Sequence, residues 1–241
     1  MMQTILGRVV VAICVLLALR LLFENGNPKT LLLDWFRLDG IVPFPVLLAA
    51  LAGCASFLIP LSLSLWTGRA KLQPSAALSI PYVALSVANL LLRFLFAAVE
   101  EVLFRGTLLR IAARRISLPA AVILSALLFA VSHWSGAWPP DYFGTASLFL
   151  EGVCFGIAYL ATGSLWLGAT WHASRNVMVW LTGGGSYRLV AALATLRYVQ
   201  NDIWIDIFDI STAVLLTAVT WLLLRSRLRC RTAKSAGAAS I

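Results

Sequence analysis

Seven stretches of this chain are long and apolar enough to cross a lipid bilayer: residues 5–23, 41–66, 78–100, 118–134, 143–162, 164–182 and 207–224. About 20 apolar residues, wound as an α-helix, span the roughly 30 Å hydrocarbon layer. Inside that layer every backbone N–H and C=O must bond within the protein, which leaves helices or closed barrels. Runs this long and this uniformly apolar do not alternate as barrel strands must. The expected fold class is therefore all-α, a polytopic membrane helix bundle of about seven to eight transmembrane helices. Charge agrees, because only 12% of residues are charged, about half the share in soluble domains.

The uncertain eighth element is 187–200, which is shorter and carries Arg188 and Arg197. It either lies in the membrane interface or completes a short eighth helix. Polar or Pro/Gly-bearing breaks at 24–29, 67–74, 112–117, 136–141 and 183–186 separate the runs. Trp66, Trp134, Trp138, Trp166 and Trp204 fall near the proposed ends, as interfacial aromatics do. Arg8 beside the first apolar run looks like the start of a leader peptide, but no small-residue cleavage site follows, so that run reads as a retained span. No repeat or soluble insert is evident, and 1–241 reads as a single transmembrane domain.

The net charge of +9 does not point to nucleic acid, since no basic patch with interleaved aromatics appears on a polar segment. Much of it lies in the tail 225–241, with Arg225, Arg227, Arg229, Arg231 and Lys234. Basic residues flanking a span mark the cytoplasmic side and attract anionic headgroups, so the expected C-terminus is cytoplasmic and the lipid bilayer is a partner. Arg69 with Lys71, and Arg110 with Arg114 and Arg115, carry the same mark although one simple crossing lies between them. Either the rule fails at one loop, or part of 78–115 is re-entrant or interfacial. Cys14, Cys54, Cys154 and Cys230 are far apart with no CxxC pair, and read as small buried hydrophobes.

Ionisable residues inside apolar runs cost roughly 2.5–3.5 kcal/mol each on insertion scales, so their presence marks a site. Glu100-Glu101-Val102-Leu103-Phe104-Arg105 interrupts the third run. Residues i and i+4 share a helical face, so Glu101 pairs with Arg105 and fixes the helix, while Glu100 points elsewhere and is available as a base. Phe129-Ala130-Val131-Ser132-His133 ends the fourth run, and His172-Ala173-Ser174-Arg175-Asn176 lies in the sixth. His172 and Asn176 share a face, and their N–H groups can converge on one oxyanion. Alone, His133 reads more readily as an interfacial histidine, and His172 with Asn176 as interhelical glue. Glu151 is a further intramembrane acid, with Arg175, Arg93 or a cavity as its possible surroundings, and the neighbouring Cys154 lacks the histidine spacing of a thiol enzyme.

The ordered set EExxxR, FxxxH and HxxxN, each on its own apolar segment between 100 and 176, resembles the intramembrane CAAX-protease family, also called CPBP or Abi. The resemblance implies a helix bundle around a conical water-filled cavity. It implies an endopeptidase that cuts a membrane-anchored or lipidated polypeptide near its C-terminal end. Glu100 aided by His133 would activate water, His172 and Asn176 would form the oxyanion hole, and Glu101 and Arg105 would support the site. No cofactor is then needed. The alternative is Zn²⁺ held by Glu100, His133 and His172, a carboxylate-plus-two-imidazole set with an open position, although no HExxH is present. Two other classes compete. A transporter would show duplicated halves, which are absent here, and a scaffold gives no reason for acid, imidazole and amide together. The small chain size favours a prokaryotic plasma membrane.

Overall fold

The computed structural model describes residues 9–17, 43–74, 80–135, 140–182, 194–198 and 203–238, and all that follows concerns these. They are almost wholly helical. A segment at 9–17 (α1) is followed by α2 (Pro43–Trp66), α3 (Ile80–Glu101), a π-helix (Val102–Leu109) closing in an α-turn at Arg110–Ala112, α4 (Leu118–Ser132), α5 (Tyr142–Thr162), α6 (Trp166–Thr182) and α7 (Ile203–Ala238). The all-α membrane expectation is met. Among the described residues, Pro45–Trp66, Leu118–Ser135 and Tyr142–Thr162 are long and apolar enough to cross a bilayer, and Ile207–Leu223 is a shorter apolar stretch.

Two findings differ from the sequence reading. Residues 194–198 form a strand, β2 (Ala194–Tyr198), rather than helix, and pair antiparallel with β1 (Ala70–Pro74) in the register Ala70 to Tyr198 and Pro74 to Ala194. A pairing across more than a hundred residues leaves no local signal to compete with helical periodicity. The helical path also runs unbroken from Ile80 to Ala112, so there is no re-entrant turn in that part of the chain. Residues 187–193 and Trp138 lie outside the described residues, and of the first expected span only 9–17 is described.

The chain divides into two compact units, one comprising Met1–Ile41, Glu101–Gly168 and Ala213–Ile241, the other Val42–Glu100 and Ala169–Thr212. In the first unit, α4 and α5 pack antiparallel through small residues. A Cβ on Gly152 would meet Ala126 at 3.0 Å, and one on Gly156 would meet Val122 at 3.1 Å. Lipid tails are as apolar as leucine, so helices in a membrane gain by close backbone approach rather than by hiding large side chains. The burial pattern follows: Ala121, Ala126, Ala130, Ala158 and Ala161 are inside, while Ile123 and Leu127 face outward.

The ends of these helices are set by their sequence. Pro119 occupies the first turn of α4, where a missing N–H costs nothing. Asp141 caps α5 by accepting from the Gly144 N–H at 2.8 Å. Gly163 ends α5 at φ +72°, a left-handed conformation that glycine adopts without penalty. The Trp134 indole N–H donates to Thr145 at 3.0 Å and ties the α4–α5 connection down.

In the second unit, a Cβ on Gly53 of α2 would overlap the Trp171 carbonyl oxygen and come within 2.8 Å of Ser174 Cβ, so α2 lies directly against α6. Arg175 of α6 pairs with Asp209 of α7 at 3.5 Å, a partner the sequence reading did not name for it.

Candidate active site

Helix α3 delivers Glu100 and Glu101 at its last turn, and the two carboxyls meet different surroundings. Glu101 Oε1 accepts from Arg105 Nη1 at 2.8 Å, with both side chains essentially excluded from solvent. The expected i, i+4 pair is therefore formed. Arg105 Nη2 also donates to the Gly152 carbonyl at 3.1 Å, reaching across to α5. Three phenyl rings surround the guanidinium: its central carbon lies 4.3 Å from the Phe129 centroid, 5.0 Å from Phe155 and 6.0 Å from Phe104. Such faces attract a cation by their quadrupole, most strongly where water is excluded. Arg105 is thus a desolvated hub joining the π-helix, α4 and α5 of the first unit.

The π-helix begins directly after Glu101. Its wide i→i+5 winding is rare and tends to occur at functional positions. The loosened backbone finds partners elsewhere: the Phe104 carbonyl accepts from the Ser125 hydroxyl at 2.8 Å.

His133 sits at the end of α4 in the same unit. Its ring lies edge-on to Phe129, 4.7 Å between centroids, and its Nδ1 is 2.9 Å from the Phe129 carbonyl oxygen. A carbonyl only accepts, so Nδ1 is the donor in that bond and carries a proton. Phe129 thereby touches both the Arg105 hub and the imidazole, a double role that the FxxxH spacing alone did not reveal.

In the second unit, Glu100 Oε2 lies 3.7 Å from His172 Nε2. The histidine is buried while a third of the Glu100 side chain remains accessible. Asn176 follows one turn later on the same α6 face and is half-buried. The structure thus brings Glu100 to His172, and Glu101 to Arg105, as separate pairs. An acid and an imidazole at that separation can share or pass a proton through a small closing motion, and catalytic hydrogen bonds often tighten only when substrate binds.

The same donors bear on zinc. Bond lengths of about 2.0–2.1 Å to oxygen and nitrogen put two tetrahedral ligand atoms about 3.3 Å apart, close to the Glu100–His172 spacing. The spacing of those two groups fits a metal.

Cys154 offers no thiol chemistry here: it is buried and its sulfur contacts Thr217 Oγ1 at 3.0 Å. Cys14, Cys54 and Cys154 are free of disulfides. Glu151 is buried in the first unit, beside the Gly152 carbonyl that receives Arg105.

A largely helical membrane protein with an acid–imidazole pair at a helix end is an architecture suited to hydrolysis within the bilayer. Residues 83–178 match the family model described as Rce1-like: Type II CAAX prenyl endopeptidase Rce1-like. Over those residues the chain is similar to the CAAX-type intramembrane proteases, which are peptide hydrolases. The match contains EExxxR, FxxxH and HxxxN whole. No curated protein and no solved structure matches the chain.

Proposed function

We propose that the chain hydrolyses a peptide bond near the C-terminal end, or in the membrane-proximal part, of a membrane-anchored or lipidated polypeptide, with Glu100 as the base. The observation that carries this reading is the contrast between adjacent acids. Glu101 is committed to the buried Arg105, while the partly accessible Glu100 faces the His172 imidazole.

In this mechanism Glu100, assisted by His133, takes a proton from water as its oxygen bonds to the scissile carbonyl carbon. The carbonyl electron pair moves to oxygen, where His172 and Asn176 donate hydrogen bonds to the oxyanion. Collapse of the tetrahedral intermediate breaks the C–N bond, and the proton held by Glu100 passes to the leaving amine. Glu101 and Arg105 fix the end of α3 and the start of the π-helix.

A second reading, supported by the Glu100–His172 spacing, would place Zn²⁺ on Glu100, His133 and His172. The metal would supply a water of lowered pKa and polarise the carbonyl. Purified chain in proteoliposomes, with a membrane-anchored peptide substrate, tests both. Glu100→Gln is expected to abolish cleavage while leaving membrane abundance and melting unchanged; a folded, fully active variant would overturn the assignment. Chelator treatment with parallel metal analysis separates the readings: full activity in metal-free protein supports the carboxylate mechanism, and activity restored only by zinc supports the metal. The reading places the chain in a prokaryotic plasma membrane, and the arginines of the tail, flanking an apolar stretch, support a cytoplasmic location for that end.

A further inference from the structure

The π-helix, its closing α-turn and the end of α5 enclose a cavity of about 290 Å³ in the first unit, lined by Leu109, Arg110, Arg114, Tyr159, Leu160 and Gly163 among others. It lies at the membrane boundary, because one apolar span begins at Leu118 and another ends at Thr162. The floor is apolar: Leu109 is wholly buried in a cluster with Ala112, Ala121 and Val122, and Tyr159 and Leu160 pack against it. The rim is cationic. Arg110 is half-buried and Arg114, one turn on, is exposed, and among the described residues neither has a carboxylate within ion-pair reach.

Two helices end here, and helix C-termini each carry about half a negative charge. Arginines are favoured at such ends without any ligand, so this must be weighed first. Two guanidinium charges against about one unit of dipole charge leave a net charge of about +1 over a concave, greasy floor. That combination suits a group with an anion at one end and hydrocarbon at the other.

We infer that this cavity is a binding site for the phosphate headgroup of an anionic phospholipid, with Arg110 and Arg114 holding the phosphate and Tyr159 and Leu160 meeting the glycerol and upper acyl carbons. Basic pockets between transmembrane helices bind such headgroups by the same chemistry.

Native mass spectrometry of the full chain released from phosphatidylcholine nanodiscs, with and without phosphatidylglycerol, tests this. Wild type is expected to retain phosphatidylglycerol in preference to phosphatidylcholine and to melt at a higher temperature in its presence. Arg110→Gln with Arg114→Gln is expected to weaken retention about 30-fold. Leu160→Trp fills the cavity and keeps both charges, so it is expected to lose the lipid as well. Retention unaffected by the double arginine change, or lost there but preserved in Leu160→Trp, would overturn the pocket and leave only interfacial anchoring by charge. Equal stabilisation by inorganic phosphate, with no lipid retained, would overturn the lipid source.

Discussion

Glu100 and Glu101 are neighbours in sequence, yet one has a third of its side chain accessible and the other almost none. The buried acid is matched by a guanidinium, a backbone carbonyl on that guanidinium and three aromatic faces. The accessible acid faces a histidine whose charge depends on a proton. Isolated charges survive in hydrocarbon only when neutralised, so the pair at 101 and 105 reads as construction. A carboxylate that keeps access to water and an imidazole keeps its chemistry. Adjacent identical residues thus meet opposite surroundings, one locked in a neutralised pair and the other accessible beside an imidazole.

That division can be broken experimentally. The largest effect is expected for Glu100→Gln, a fall of about 10²–10⁴-fold in cleavage from loss of a general base, with melting unchanged. Glu101→Gln should behave oppositely, losing folded protein first; equal effects of the two changes on both readouts would dissolve the contrast. Next, Arg105→Met leaves Glu101 buried without its cation and should cost about 3–5 kcal/mol in stability. The double change Glu101→Gln with Arg105→Met should recover part of this, and a double-mutant cycle on melting measures the coupling. Gly53→Ala forces α2 away from the Trp171 carbonyl and should cost about 1–3 kcal/mol. Because Trp171 precedes His172, cleavage per folded molecule should fall too, which an active-site-normalised assay would detect. The smallest effect is expected for Asp141→Ala, which removes the α5 cap for about 1 kcal/mol and should leave cleavage unaltered.

Helices were legible wherever length alone decides the outcome. The runs at 41–66, 118–134 and 143–162 correspond to Pro43–Trp66, Leu118–Ser132 and Tyr142–Thr162, since an apolar run of that length has no other way to satisfy its backbone. The Glu101–Arg105 pair was legible because both partners lie on one turn. The aromatic enclosure was not, because Phe104, Phe129 and Phe155 come from three separate elements. Nor was the strand at 194–198, whose hydrogen-bond partners lie at 70–74, or the Arg175–Asp209 pair, which joins two helices. Of the candidate site, residue types and spacings could be read directly. The unequal accessibility of the two acids depends on neighbours distant in sequence, whereas the proton on His133 Nδ1 is set by a carbonyl one turn back.

The wide winding between Val102 and Leu109 accommodates more backbone per turn than regular helix would. Removing one residue between Glu101 and Arg105 would restore standard coiling but bring the arginine one position nearer its acid, about 100° round the helix from its present place. Such a deletion would improve the local ladder yet rotate the arginine out of its aromatic nest. Tolerance to loss of a single codon should therefore be poorest in the part of the helix whose own geometry is least ideal.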